Sequence, residues 1–149
     1  MRLSSILIVC VGNICRSPMA EYLLRDEFES EGLQVRSAGL GALVGEPAHV
    51  VSQELMSAKG IDITGHRARQ LDEYMVGKAD LILTMESSHK SAILERSPLA
   101  QGRIYRIGEI QGFDIADPYR GSRDEFIRSL IDIERGLADW TDRLRSLMA

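Results

Sequence analysis

The most constraining stretch of this chain is Ser5-Ile-Leu-Ile-Val-Cys10, which runs into Val11-Gly-Asn-Ile-Cys-Arg16 and then Ser17-Pro18. The first segment is apolar without the alternation of a half-exposed strand, so it suits a strand covered on both faces, as strands are in parallel sheets. A helix is expected directly after the loop. Ser17 is a good N-cap, Pro18 suits the first helical position, and Met19, Ala20, Leu23, Leu24 and Phe28 recur at helical spacing. That helix is expected to run to about Glu31, where Gly32 stops it.

The rest of the chain keeps the alternation. Residues 33–37 are expected as a short second strand entering the glycine-rich loop 38–47, followed by helices over 49–59 and 71–76. Residues 80–84 repeat the buried-strand pattern, 86–96 form a helix that Pro98 terminates, and 103–107 form a fourth strand. The last helix starts at Ser122, where Ser122 and Glu125 have capping-box spacing, and Phe126, Leu130, Leu137, Trp140, Leu144 and Leu147 line its inner side. His49 and His89 read as solvated helix residues. Strands alternating with helices predict an α/β fold with right-handed crossovers and four parallel strands, with ligands bound at the carboxyl ends of the strands.

Composition narrows the function. At 149 residues, without repeats or Pro-rich linkers, the chain is expected to be one domain over 1–149. The longest apolar stretch, 6–11, is far below the roughly 20 residues that span a bilayer, and with no cleavage site after it the start reads as a strand, not a signal peptide. A soluble protein is expected. The net charge of −4, spread along the chain, gives no basic face for nucleic acid. Two cysteines, Cys10 and Cys15, are too close together to staple distant parts and too few for a zinc site. Reactive thiol chemistry in a reducing compartment is the better reading, which predicts a cytoplasmic protein with no metal or cofactor.

The loop between the first strand and the first helix carries the chemistry. Its amides lie at a helix N-terminus, where unpaired N–H groups and the helix dipole favour an anion. Gly12 and Asn13 are residue types that tolerate left-handed dihedrals, so Val11, Gly12, Asn13, Ile14, Cys15 and Ser17 can curl into a nest of inward amides around a tetrahedral oxyanion. Arg16 adds a planar bidentate donor, and Cys10 lies beneath the anion with its thiolate supported by the same amides and the Ser17 hydroxyl. A thiolate so placed is an in-line nucleophile. A bare Cys-x5-Arg spacing would also fit a structural cysteine and a solvated arginine. The strand before it, the Ser-Pro helix start after it and the absence of a nucleotide-binding Gly-Lys-Ser/Thr sequence favour a catalytic phosphate loop.

With Cys10-Val-Gly-Asn-Ile-Cys-Arg-Ser-Pro18, Ser37-Ala-Gly39, His66-Arg-Ala-Arg-Gln70, Leu83-Thr-Met-Glu86 and Asp117-Pro-Tyr119 in this order, the sequence resembles the low-molecular-weight protein tyrosine phosphatases. The resemblance implies a three-layer fold with strand order 2-1-3-4 and hydrolysis of phosphotyrosine through a cysteinyl-phosphate. Cys10 would be the nucleophile, Arg16 the phosphoryl ligand and Asp117 the acid for the leaving phenolate, on a loop that Pro118 stiffens. Tyr119 and Leu40 would flank the substrate ring, and Asn13, Ser37 and His66 would brace the loop. Residues 37–44 and Asp117-Pro-Tyr-Arg120 are similar to the bacterial branch that opposes autophosphorylating tyrosine kinases in capsule or exopolysaccharide export. The implied partners are a tyrosine-phosphorylated protein, such as a membrane autokinase, and inorganic phosphate as a competitive inhibitor. Arg120 stands where the animal enzymes often have a second tyrosine.

Three rival readings share the phosphate loop. A thioredoxin-coupled arsenate reductase needs further cysteines downstream, and none follows Cys15. A protein-arginine phosphatase would be expected to carry threonine at the position of Ile14. A phosphate-binding module without catalysis needs neither a nucleophile nor an acid. Cys15 is close enough to Cys10 to be expected as its partner in a reversible disulfide, the other reading being a small buried filler.

Overall fold

A computed structural model describes residues 2–149. Four parallel strands, β1 (Ser5–Cys10), β2 (Gln34–Gly39), β3 (Leu81–Thr84) and β4 (Ile104–Arg106), lie in the order β2-β1-β3-β4. Five α-helices connect and cover them: α1 (Arg16–Phe28), α2 (Val50–Ser57), α3 (Glu73–Lys78), α4 (Ser87–Arg96) and α5 (Arg123–Met148). The strand order reverses beside β1, so the carboxyl end of β1 opens on the crevice where such sheets take ligands.

The period of two in β1 divides the core. Ile6, Ile8 and Cys10 face one layer, where Met19, Leu24 and Phe28 of α1 meet Leu130, Ile133, Trp140 and Leu144 of α5. Leu7 and Val9 face the other, where Val76 of α3 and Ile93 of α4 pack with Ile82 and Ile104. Both faces of the strand are sealed, which is why its sequence is continuously apolar. Trp140 also donates its indole N–H to the Ile107 carbonyl at 3.0 Å, tying α5 to the end of β4.

Several expected boundaries shift. The first helix ends at Phe28 and finishes in a tighter turn over Glu29–Glu31, with Gly32 left-handed at φ 87°. β2 gains Ala38 and Gly39 because they pair with Val9 and Cys10. α3 starts at Glu73, since the Asp72 carboxylate caps it by accepting the Met75 N–H at 2.8 Å. Leu147, expected on the inner side of α5, is half exposed, while its carbonyl accepts the Leu3 N–H.

Ser17 is not the N-cap of α1. The chain winds into the helix earlier, with Cys15 at the cap position, and the Ser17 hydroxyl serves other partners. His89 is not solvated either, and His49 is half-buried. His49 caps α2 by accepting the Val51 N–H and lies 4.6 Å, centroid to centroid, from Phe126; His89 is buried.

Gly39 fixes the distance between β2 and the loop after β1. A Cβ there would lie 2.2 Å from the Val11 carbonyl oxygen and 3.1 Å from the Asn13 Cβ. Gly39→Ala must push the loop away from the strand, an overpacking cost of about 1–3 kcal/mol. Urea unfolding should show that loss together with weaker binding of inorganic phosphate; unchanged values of both would contradict the close approach.

Candidate active site

Every carbonyl of the loop from Cys10 to Cys15 is held from outside. Leu40, Gly41 and Leu43 donate their N–H groups to the carbonyls of Cys10, Val11 and Gly12 at 2.9, 3.0 and 3.0 Å. His66 Nε2 lies 2.7 Å from the Asn13 carbonyl oxygen, the His49 N–H reaches Ile14 at 2.8 Å and the Ser52 hydroxyl reaches Cys15 at 3.2 Å. Peptide units whose carbonyls point outward point their N–H groups inward. Among the described residues, no protein acceptor takes the N–H of Gly12, Asn13, Ile14 or Cys15. The result is an anion nest at the head of α1.

Asn13 makes the curl possible. It stands at φ 60°, in the left-handed region, and is fully buried. Its Nδ2 donates to Ser17 Oγ at 2.7 Å and to Ser37 Oγ at 2.9 Å, and its Oδ1 accepts the Arg69 N–H at 2.8 Å. These bonds have a direction. Ser37, already accepting from Asn13, donates its proton to Glu21, whose carboxylate also pairs with Arg25 at 2.6 Å. Ser17, likewise accepting from Asn13, turns its proton to Cys10 Sγ 2.8 Å away. The chain of bonds therefore delivers a donor to the sulfur, the polarity that suits a thiolate.

Arg16 is almost fully buried, and its guanidinium is fixed by Nη1, which donates to Glu86 Oε2 and to the Ile115 carbonyl, both at 2.6 Å. Nη2 lies 3.7 Å from Asp117 Oδ2. The other Asp117 oxygen accepts the Tyr119 N–H at 3.0 Å, which turns the carboxylate toward the site. The loop bearing it is anchored where Ser129 of α5 donates to the Ala116 carbonyl at 2.8 Å. Asp114, three residues earlier, is committed to Arg106 and to the Ser87 N–H, each at 3.1 Å.

These groups converge on a pocket of about 140 Å³ lined by Cys10, Val11, Gly12, Ile14, Cys15, Arg16, Gly41, Leu43, Asp117 and Tyr119. Asn13, Ser17, Ser37 and His66 stand behind it as braces. Leu40 does not line it: its side chain packs with the cluster that holds Leu7 and Val9, and Leu43, three residues on, lines the pocket together with Tyr119. Sequence reasoning passed over Glu21. A glutamate among Met19, Ala20 and Leu24 of the buried stripe was the available signal, but its spacing to Arg25 reads equally as a surface pair.

Both cysteines are free thiols. Burial, with the charges of Asp117 and Cys10 added, pushes the Cys15 thiol up to about 12, so it is protonated at neutral pH. No group of three or more potential metal ligands occurs among the described residues. No helix there is long and apolar enough to cross a membrane.

The fold and this pocket define an α/β protein with a ring of inward backbone N–H groups over a thiol. The model of the low molecular weight phosphotyrosine protein phosphatase family matches residues 5–148, and the chain belongs to that family. It is thus a protein-tyrosine-phosphatase, a phosphoric monoester hydrolase. A probable low molecular weight protein-tyrosine-phosphatase EpsP of Ralstonia nicotianae is 48% identical over 145 residues, covering 97% of this chain and 99% of the relative. Among solved structures, Vibrio vulnificus Wzb in complex with benzylphosphonate superposes with TM-score 0.90 at 35% identity, covering 95% of this chain and 99% of that one. The YwlE arginine phosphatase of Geobacillus stearothermophilus gives 0.89 at 34% identity, covering 96% and 94%.

The His66 brace has a pH consequence. Burial lowers His66 below its ordinary 6.5, against the opposing pull of the Asn13 carbonyl and the Glu21 carboxylate. A group with a lowered folded value binds fewer protons folded than unfolded, so its stabilisation is whole above 6.5 and is lost as pH falls toward the folded value. Melting temperatures of the wild type should fall as pH drops below that point. His66→Gln, which keeps an N–H donor for Asn13 without the titration, should lose less over the same window; equal slopes would contradict the neutral brace.

Proposed function

We propose that the protein hydrolyses phosphotyrosine in proteins through a cysteinyl-phosphate. The observation that carries this reading is the convergence of Cys10, Arg16, Asp117 and Tyr119 on one small pocket floored by inward amides. The inward amides and Arg16 take the three non-bridging phosphoryl oxygens, and Cys10 Sγ attacks phosphorus from below. The P–O bond to the phenol breaks as Asp117 passes its proton to the departing oxygen. In the second step Asp117 accepts a proton from water, water oxygen bonds phosphorus, the S–P bond breaks and inorganic phosphate leaves. Phosphate is then a competitive inhibitor, since it fills the same nest. Tyr119 and Leu43 flank the ring.

The resemblance of residues 37–44 and Asp117-Pro-Tyr-Arg120 to the bacterial branch that opposes autophosphorylating tyrosine kinases supports a substrate in polysaccharide export. We place the enzyme in the cytoplasm, acting on a tyrosine-phosphorylated protein such as a membrane autokinase. An arginine phosphatase is the second reading, favoured by the likeness to YwlE. The apolar Ile14 in the pocket suits an aromatic leaving group better, and parallel rates on phosphotyrosine and phosphoarginine peptides separate the two.

Cys10→Ser should abolish turnover of aryl phosphates while still binding vanadate, and chelators should leave the wild type active. A substantial rate from the serine variant would remove Cys10 as nucleophile. General acid assistance supplies about 10²- to 10⁴-fold and matters most for poor leaving groups. Single-turnover rates of phosphoenzyme formation should therefore depend weakly on leaving-group pKa in the wild type and steeply in Asp117→Ala. Equal slopes would exclude Asp117 as the acid.

A further inference from the structure

Glu86 meets both Arg16 and His89 at the head of α4. Its Oε2 anchors Arg16 Nη1 at 2.6 Å, and as N-cap of α4 it pairs with His89 in capping-box geometry while its backbone carbonyl accepts the His89 N–H at 3.1 Å. His89 completes a reciprocal box: its Nδ1 accepts the Glu86 N–H at 3.3 Å, and its Nε2 lies 3.5 Å from Glu86 Oε2. The third residue of such a box is ordinarily Glu or Gln, with an oxygen to accept the cap residue's N–H. Imidazole can substitute only while Nδ1 keeps its lone pair, and that places the proton on Nε2, toward the carboxylate.

We propose that His89 is a positioning residue for Arg16, holding the Glu86 carboxylate against the guanidinium through a capping box that closes only around a neutral imidazole. A second proton would set Nδ1–H against the Glu86 N–H. The box would open, and a protonated imidazole beside Oε2 would compete with Arg16 for it. The guanidinium would then keep the Ile115 carbonyl and the longer approach of Asp117 to set its plane, and its alignment on the phosphoryl oxygens would loosen. This builds on the phosphatase reading of Arg16.

The surroundings set where the switch acts. His89 is buried, and the charged groups facing it are Arg16 on α1, Glu86 at the head of its own helix, and Asp114 and Asp117 on the loop before α5, with Arg106 of β4 paired to Asp114. Burial and Arg16 hold the imidazole below its ordinary 6.5, opposed by Glu86, Asp114 and Asp117. The box is therefore closed at neutral pH and opens in acid.

The test compares wild type, His89→Ala and His89→Gln by kcat/KM on an aryl phosphate and by calorimetric affinity for inorganic phosphate, from pH 7.5 to 5. Loss of a partner that orients a metal-ligating side chain typically costs about 10- to 100-fold, and an effect at the lower end of that range is expected for a partner of Arg16. At pH 7, His89→Ala should lose about that much in both measurements, and His89→Gln, which restores an acceptor, should recover most of it. On acidification the ratio of His89→Gln to wild type should rise in both, because only the wild type carries the titrating box. The ratio cancels the ionisation of Cys10, Asp117 and substrate. A flat ratio, or an alanine variant equal to wild type in both measurements, would overturn the proposal. If the alanine variant does not fold, the glutamine ratio decides. Phosphate affinity also decides if the wild type proves inactive on aryl phosphates, a result that would sink the phosphatase reading and not this one.

Discussion

Asn13, held at φ 60° by four hydrogen bonds, is the constraint on which the rest of the site depends. A left-handed non-glycine residue is costly and persists only where its surroundings over-determine it. Here Ser17 comes from α1, Ser37 from β2, and His66 and Arg69 from the segment before α3, so three separate parts of the fold meet at one residue. Their reward is a loop whose carbonyls all face protein. The inward N–H groups follow from peptide geometry, with no side chain needed to present them.

A second clamp orients the one cationic side chain of the pocket. Arg16 is nearly fully buried, and burying a charge is tolerable only with partners. Those partners are Glu86, just past the end of β3, and the Ile115 carbonyl, which the Ile115 N–H bond to Met85 fixes at 2.9 Å beside the same strand. The parallel register that sets Val9 against Thr84 therefore also sets Arg16 against its acceptors. Chemistry at the end of β1 is built from the ends of its two neighbours, β2 through Ser37 and Gly39, β3 through Glu86.

Much of this was legible in the sequence because local patterns carried it. The continuous apolar run of β1 and the glycine and asparagine after it pointed to a buried strand entering an anion loop, and the alternation of elements pointed to a parallel sheet. What escaped was decided by long-range contact. Ser17 has every local mark of an N-cap, yet Asn13 and Cys10 claim its hydroxyl. Leu40 and Leu43 are indistinguishable by type, and only the path of the 39–49 loop across the phosphate loop puts the second at the pocket. His89 lies on an ordinary helical stretch, yet it is buried with Arg16, Asp114 and Asp117, all distant in sequence, near enough to act on its charge. Glu21 looked like half of a surface pair until Ser37 supplied its second partner.

The central claim is that the main chain, locked by Asn13, binds the phosphoryl group. Backbone amide NMR during titration with inorganic phosphate tests it most directly. The N–H resonances of Gly12, Asn13, Ile14 and Cys15 should move downfield together on binding, as charge-assisted hydrogen bonds form, and Asn13→Ala should bind phosphate more weakly with those shifts diminished. Phosphate binding that leaves these amides unmoved and perturbs only the Arg16 side chain would contradict the account.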